Sequence, residues 1–243
     1  MVEGGVGRRA HVDGRGSLRR VSLRGDQEKR QRARELAREA LARGEPTAWF
    51  EELYATAGDI EVIPWADLEP NPSFLVWARR EILAGAGKRA LKVGSGLGDD
   101  AEALAGRGFD VVAFDIAPAA VAWARSRFPE SSVSYVVADL LALPDGWRHA
   151  FDFVLEAYTL QVLPPALRPA AAAAIAGTLK PGGLLLAITR ARGLSDPEGE
   201  MPWPLTEDEL KALFEPHLAL RSFEDYLDDE NPPVRRFRAT FAA

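Results

Sequence analysis

The order of apolar patterns along the chain predicts an α/β architecture: a mostly parallel sheet, covered by helices on both faces and preceded by a helical cap. Three observations carry this. Short β-prone runs alternate with helical segments through the middle of the chain. A glycine-rich turn, VGSGLG at 93–98, joins the first of these runs to a helix. Two late strand-like runs lie too close together for a crossover and read as an antiparallel hairpin at the sheet edge.

The elements follow in order. Residues 1–25 hold six glycines and several arginines without an apolar period, so a disordered tail is expected. An organelle transit peptide and a true start near Val21 are the alternatives, and no secretory apolar region is present. From Asp26, residues Ala33, Leu36, Ala37, Ala40 and Leu41 form one helical stripe that stops near Gly44. Trp49, Phe50, Leu53 and Tyr54 mark a second amphipathic helix. After the irregular stretch 57–70, Asn71-Pro72 opens a third. Strands are predicted at 89–93, 111–115, 132–138, 152–158, 184–189, 218–227 and 234–242, and helices at 99–107, 118–127 and 166–178. Thr206 to Glu209 is a capping-box start for one more short helix. A single domain over 26–243 is expected, with its cap at 26–85 and its core at 86–243.

Composition removes several chemistries. The chain of 243 residues contains no cysteine, which excludes disulfides, thiolate nucleophiles and cysteine metal sites. His11, His149 and His217 are too scattered to suggest a metal cluster. Residues 1–34 carry ten Lys/Arg against four Asp/Glu, whereas the rest carries twenty against thirty-two. Such an acidic body disfavours a partner whose phosphates must be neutralised. No apolar run reaches the length of a membrane helix. A cytoplasmic protein, monomeric or homodimeric, without metal, nucleic acid or membrane partner, is therefore expected.

The chemistry concentrates at three predicted strand ends. Gly94, Gly96 and Gly98 let a ligand approach bare backbone at a helix N-terminus. A dinucleotide site would place its third glycine at position 99, where Asp99 stands, and Asp99-Asp100 would repel a pyrophosphate. Asp115 ends the second strand, where a carboxylate can accept both ribose hydroxyls of a nucleoside. Asp139-Leu140 follows the third, offering an acceptor and an apolar face to adenine. Taken singly, each has a structural reading as a turn, a helix cap or a loop residue. Together they describe a nucleoside pocket without phosphates.

On these residues the chain resembles the class I S-adenosylmethionine-dependent methyltransferases. The likeness runs from about Arg89 to the C-terminus, through VGSGLGDDAEALA, FDIAPAAVAWAR, VVADLLALP, FDFVLEAYTLQVLPP and LKPGGLLLAITR. It implies a Rossmann-like seven-stranded sheet whose last strand, RRFRATFAA, is inserted antiparallel. S-adenosyl-L-methionine is the implied cofactor and S-adenosyl-L-homocysteine its product. By the same resemblance, Gly94, Gly96 and Gly98 approach the methionine part, Asp115 and Ile116 the ribose, and Asp139 and Leu140 the adenine. Glu156 would lie beside the methyl donor or acceptor. TAWFEELY and IPWADLEPNP look like the N-terminal region of the thiopurine, thiol and halide methyltransferase group, which would put Trp65 near the cofactor and Trp49 in a lid. Packing of a helical cap onto the sheet would use the same tryptophans.

One departure stands out. Lys92 occupies a position where this family usually has an acid, two residues before the first glycine. A lysine in a doubly covered strand needs a carboxylate partner, with Glu156 or Asp115 the expected candidates.

The implied reaction is direct displacement at a methyl carbon, in which alignment and exclusion of water do most of the work. The expected acceptor is a small molecule, with thiols and other soft nucleophiles, which need no base, among the candidates. For an oxygen or nitrogen acceptor, Glu156, Tyr158 and His217 are the conceivable bases. The loop 191–206 would face the acceptor, with Met201 and Trp203 either lining its pocket or plugging it. The acidic run 224–230 reads as a solvated hairpin end. A macromolecular methyltransferase and a non-catalytic nucleoside-binding domain are the competing functions, the second kept in view by Lys92.

Overall fold

The computed structural model describes residues 23–230 and 232–243. Helix α1 (Leu23–Ala42) begins ahead of the expected Asp26, so residues 23–25 are helical; residues 1–22, where a tail is expected, lie outside the described residues. Ala33, Leu36, Ala37 and Ala40 form the buried stripe of α1 and pack with Trp49, Leu53 and Tyr54 of α2 (Ala48–Thr56). Helix α3 (Pro72–Arg80) starts as its sequence dictates. Asn71 Oδ1 accepts from the N–H groups of Ser73 and Phe74, and Pro72 sits where no intrahelical N–H bond is needed.

The core then alternates: β1 (Arg89–Val93), α4 (Asp99–Ala105), β2 (Asp110–Asp115), α5 (Pro118–Arg127), β3 (Ser134–Val137), β4 (Phe151–Ala157), α6 (Arg168–Thr178), β5 (Leu179–Arg190), α7 (Glu207–Phe214), β6 (Ala219–Leu227) and β7 (Arg235–Ala242). The seven strands form one sheet in the order β3-β2-β1-β4-β5-β7-β6. The first five are parallel, and β7 runs antiparallel between β5 and β6. Burial explains the insertion: β7 is covered along nearly its whole length, whereas β6 is half exposed and takes the edge.

Both faces carry a core, which is why the central strands read as near-continuous apolar runs. One face packs Leu91, Val93, Val154 and Phe237 against Ile175 and Phe214 of α6 and α7. The other packs Ala113, Phe153 and Ile188 against Trp77, Leu104 and Val121 of α3, α4 and α5. The capping box of α7 is present, with Thr206 and Glu209 bonded reciprocally.

The acidic run lies at the hairpin end as expected, with Asp225, Asp229 and Glu230 exposed, and most of its acids are also paired. Glu224 accepts from both Arg80 and Arg238, Asp225 from Arg235, and Asp228 and Glu230 from Arg236. Arg236 and Arg238 are buried on β7, and buried cations need such partners. The pairing spans two strands, so spacing within either one does not reveal it. Among the described residues no helix is long and apolar enough to cross a membrane, and no His/Asp/Glu cluster could hold a metal ion.

Candidate functional site

Five residues, Gly94 to Gly98, turn the chain from β1 into α4. The three glycines have φ of +60°, +50° and +97°, a region that side chains with a Cβ avoid. Their surroundings differ. A Cβ on Gly94 would collide with Thr159 Oγ1, and one on Gly98 would lie 2.6 Å from Tyr135 Oη. A Cβ on Gly96 would meet only Tyr54 Oη, at 3.4 Å. Gly94 and Gly98 thus serve close packing as well as the turn, and Gly96 is the one whose backbone is bare toward the cap.

Asp115, at the end of β2, holds this turn. Its Oδ2 accepts the Gly96 N–H at 2.9 Å and its Oδ1 the Ala117 N–H at 3.0 Å. With about four lone-pair sites on the two oxygens, the carboxylate still has room for a ligand hydroxyl beside these amides and that of Ile116. Burial pushes the Asp115 pKa up, opposed by these amides and by Lys92. Ile116, next in the chain, is half-buried. The Asp115 carbonyl accepts the Ala138 N–H, which joins the ends of β2 and β3. Just beyond, Asp139 is exposed and caps the Leu141 N–H, while Leu140 is buried. The predicted nucleoside residues therefore occupy three adjacent strand ends.

The cap closes over them through a residue that the sequence reading placed only on an apolar helix face. Tyr54 projects from α2 over Gly96, and its Oη accepts from Trp65 Nε1 at 2.7 Å. Trp65 thereby reaches the glycine turn through Tyr54. Trp49 is fully buried in the cap, edge-on to Trp65 at 6.1 Å. Glu51 Oε2 accepts the Ala119 N–H at 2.9 Å, which docks α2 on the first turn of α5. The α1 helix is strapped to the 193–205 loop, where Arg34 Nε donates to the Met201 carbonyl at 2.7 Å. Met201 packs into the cap cluster, and Trp203 lies against the Arg168 guanidinium.

Lys92 has a partner, but not one of the two expected. Its ion pair is with Asp100, Nζ to Oδ2 at 3.8 Å, and its hydrogen bonds go to the carbonyls of Val93 at 2.7 Å and Gly94 at 3.0 Å. Glu156 and Asp115 feel its charge only at longer range. The physical reason is local. The first turn of α4 folds back over the end of β1, so an acid eight residues on lies nearer than acids on neighbouring strands. The Lys92 need for a carboxylate, read together with Asp99-Asp100 opening the next helix, was the available signal.

Glu156 lies beside Val93 in register, at the end of β4. Its Oε1 accepts the N–H groups of Thr159 and Leu160, while Oε2 is buried without a partner. Burial pushes its pKa up to about 7 despite those amides and the charge of Lys92. Tyr158 follows with φ +66°, a strained conformation for a residue with a Cβ, and its ring lies 4.8 Å from the Arg236 guanidinium carbon. His217 does not join this site. It precedes β6, whose first residue pairs with Ala242, so it lies at the opposite end of the sheet, in a hollow shared with His149.

Residues 90–183 match the family model described as a methyltransferase domain. The strand order β3-β2-β1-β4-β5-β7-β6 and solved structures agree with that match. The fold is that of a class I methyltransferase. A protein solved for the conversion of a disulfide bond into a thioacetal group during echinomycin biosynthesis shares 22% identity over 81% of this chain and 91% of its own, with a TM-score of 0.67. The N-methyltransferase NodS of Bradyrhizobium japonicum WM9, in complex with S-adenosyl-L-homocysteine, shares 20% over 81% of this chain and 97% of its own, with a TM-score of 0.63. The 1,6-didemethyltoxoflavin-N1-methyltransferase of Burkholderia thailandensis, with bound 1,6-didemethyltoxoflavin and S-adenosylhomocysteine, shares 18% over 89% of each chain, with a TM-score of 0.57. At these identities the likeness to solved structures concerns the methyltransferase fold alone.

Proposed function

We propose that this protein transfers a methyl group from S-adenosyl-L-methionine to a small-molecule acceptor. The observation that carries the reading is the Gly96–Asp115 bond beneath Tyr54: a bare left-handed glycine, a buried carboxylate with spare lone pairs and an aromatic lid at adjacent strand ends. The residues fit the cofactor. Gly94 to Gly98 would hold its methionine part, Asp115 and Ile116 its ribose, and Asp139 with Leu140 its adenine. The buried, unpartnered hydroxyl of Ser95 and Glu156 Oε2 offer polar atoms that the protein itself leaves unsatisfied.

When bound, the cofactor supplies an electrophilic methyl on a positively charged sulfur. The protein supplies placement. Asp115 orients the nucleoside, Thr159 overhangs Gly94, and Tyr54 with Trp65 exclude water from above. For a soft nucleophile such as a thiol no base is needed. For an oxygen or nitrogen acceptor, Glu156 is the proton holder we assign, because it stands beside the start of the glycine turn with Oε2 unpartnered, and burial pushes its pKa up to about 7. Similarity of the cap to the thiopurine, thiol and halide methyltransferase group rests on Trp49, Trp65 and the Pro64-Trp65 pair, and it supports soft acceptors. The enclosing cap favours a small acceptor over a macromolecule.

The test is turnover. Protein, S-adenosyl-L-methionine and separate panels of thiols, halides, amines and carboxylates should release S-adenosyl-L-homocysteine with at least one panel. Cofactor binding without turnover on any of them would favour the non-catalytic reading.

A further inference from the structure

Arg235, Arg236 and Arg238 at this side of the sheet have carboxylates; among the described residues Arg190 has none. It is the last residue of β5, directly opposite Arg236 in the antiparallel register, so both side chains lie on one face. Arg236 is served twice, by Asp228 Oδ2 at 2.7 Å and by Glu230. Asp228 Oδ1 is taken by the N–H groups of Glu230 and Val234. The Arg190 guanidinium is half-buried, yet it makes no hydrogen bond, ion pair or ring contact with any described residue. The charges that act on it are those of Arg236, Glu230 and, from the exposed face of α1, Arg30, together with the Tyr158 hydroxyl. The two carboxylates at this corner, Asp228 and Glu230, are therefore both committed to Arg236.

We propose that Arg190 anchors a carboxylate carried by the methyl acceptor. The inference rests on the methyltransferase reading and specifies its substrate class. Removing a guanidinium from water without a partner is costly, so a half-buried free one marks a place that a ligand completes. The planar guanidinium fork matches a carboxylate, which it can hold through two parallel hydrogen bonds. Position agrees as well. Tyr158 and Thr159, which follow β4, separate Arg190 from the glycine turn, and β5 lies two strand spacings, roughly 10 Å, from β1. A small acid could span that distance with its nucleophilic atom toward Gly94 and its carboxylate on Arg190.

The experiment compares matched acids and amides (benzoate with benzamide, phenylacetate with phenylacetamide, nicotinate with nicotinamide, and a wider set of such pairs) by ligand-observed NMR on the full chain, with and without S-adenosyl-L-homocysteine. Acids should bind in preference to their amides. Arg190→Gln should weaken them about ten- to hundredfold, with Arg190→Lys in between. Because the Arg190 guanidinium has no partner among the described residues, and its backbone bond to Gln161 survives the change, Arg190→Gln should melt no lower than the parent, so that a loss of binding is not a loss of fold. The proposal is overturned if no acid binds, if amides bind as well as acids, or if the preference survives Arg190→Gln. Calorimetry with S-adenosyl-L-homocysteine on the same samples separates the two claims. Failure there counts against the methyltransferase reading, and the acid-amide comparison on the cofactor-free protein still decides the role of Arg190.

Discussion

Lys92 and Asp100 lie against each other beneath the glycine turn, Nζ 3.8 Å from Oδ2, with both side chains largely out of water. The lysine also holds the Val93 and Gly94 carbonyls, and Asp100 Oδ1 accepts the Asn71 N–H at the start of α3. One buried pair thus ties the turn to the cap. Asp100→Asn should cost about 2–4 kcal/mol in urea unfolding, because it strands a buried cation. Adding Lys92→Met to Asp100→Asn should recover most of that loss. Additive losses in the double variant would contradict the pairing.

Glu156 makes stability depend on pH in a definite direction. Its folded pKa of about 7 lies above the ordinary glutamate value, so the folded state binds more protons between about pH 4.5 and 7. The stabilising contribution of its protonated form is complete below that window and is lost as pH rises through 7. Glu156→Gln keeps an oxygen for the Thr159 and Leu160 N–H groups. It should leave stability at pH 5 nearly unchanged and raise it at pH 8 by on the order of 1–3 kcal/mol. Denaturant midpoints at the two pH values decide this, and a variant that is less stable at pH 8 would contradict the burial argument.

The three glycines should separate by measurement. Gly98→Ala puts a methyl group 2.6 Å from the Tyr135 hydroxyl as well as straining the backbone, so a loss of about 2–4 kcal/mol is expected in thermal or urea unfolding. Gly96→Ala meets only Tyr54 Oη at 3.4 Å and should cost less stability, about 1–2 kcal/mol, while impairing cofactor binding more than its stability loss explains. Equal ratios of binding loss to stability loss at the two positions would contradict the assignment of Gly96 as the ligand-facing glycine.

Tyr54→Phe removes the acceptor of the Trp65 indole N–H, a bond worth about 1 kcal/mol. The emission of Trp65, which is partly exposed, should change when S-adenosyl-L-homocysteine is added to the parent protein, and the change should be altered in Tyr54→Phe. Emission insensitive to the ligand, in a protein shown to bind it, would remove Trp65 from the lid.

The sheet was legible because its strands are covered on both faces and its helices carry proper stops and caps. Asn71-Pro72 and Thr206 to Glu209 specify their helix starts locally. The glycines and strand-end acids were legible for a similar reason: each sits at a fixed offset from a strand end. Pairings across strands were not. The link from Arg236 to Asp228 and Glu230, and the isolation of Arg190 opposite it, depend on register, which no single run of sequence states. Tyr54 was hidden in another way. A tyrosine on an apolar stripe looks like core until its hydroxyl is found over Gly96.

The most direct test of the whole account is calorimetric titration of the parent protein and Asp115→Ala with S-adenosyl-L-methionine and S-adenosyl-L-homocysteine. Asp115 both holds the Gly96 N–H and offers the lone pairs assigned to the ribose. Both ligands should bind the parent with one-to-one stoichiometry, and Asp115→Ala, confirmed folded, should bind them at least about a hundredfold more weakly. A folded parent that binds neither ligand, or an Asp115→Ala variant that binds them equally well, would contradict the account.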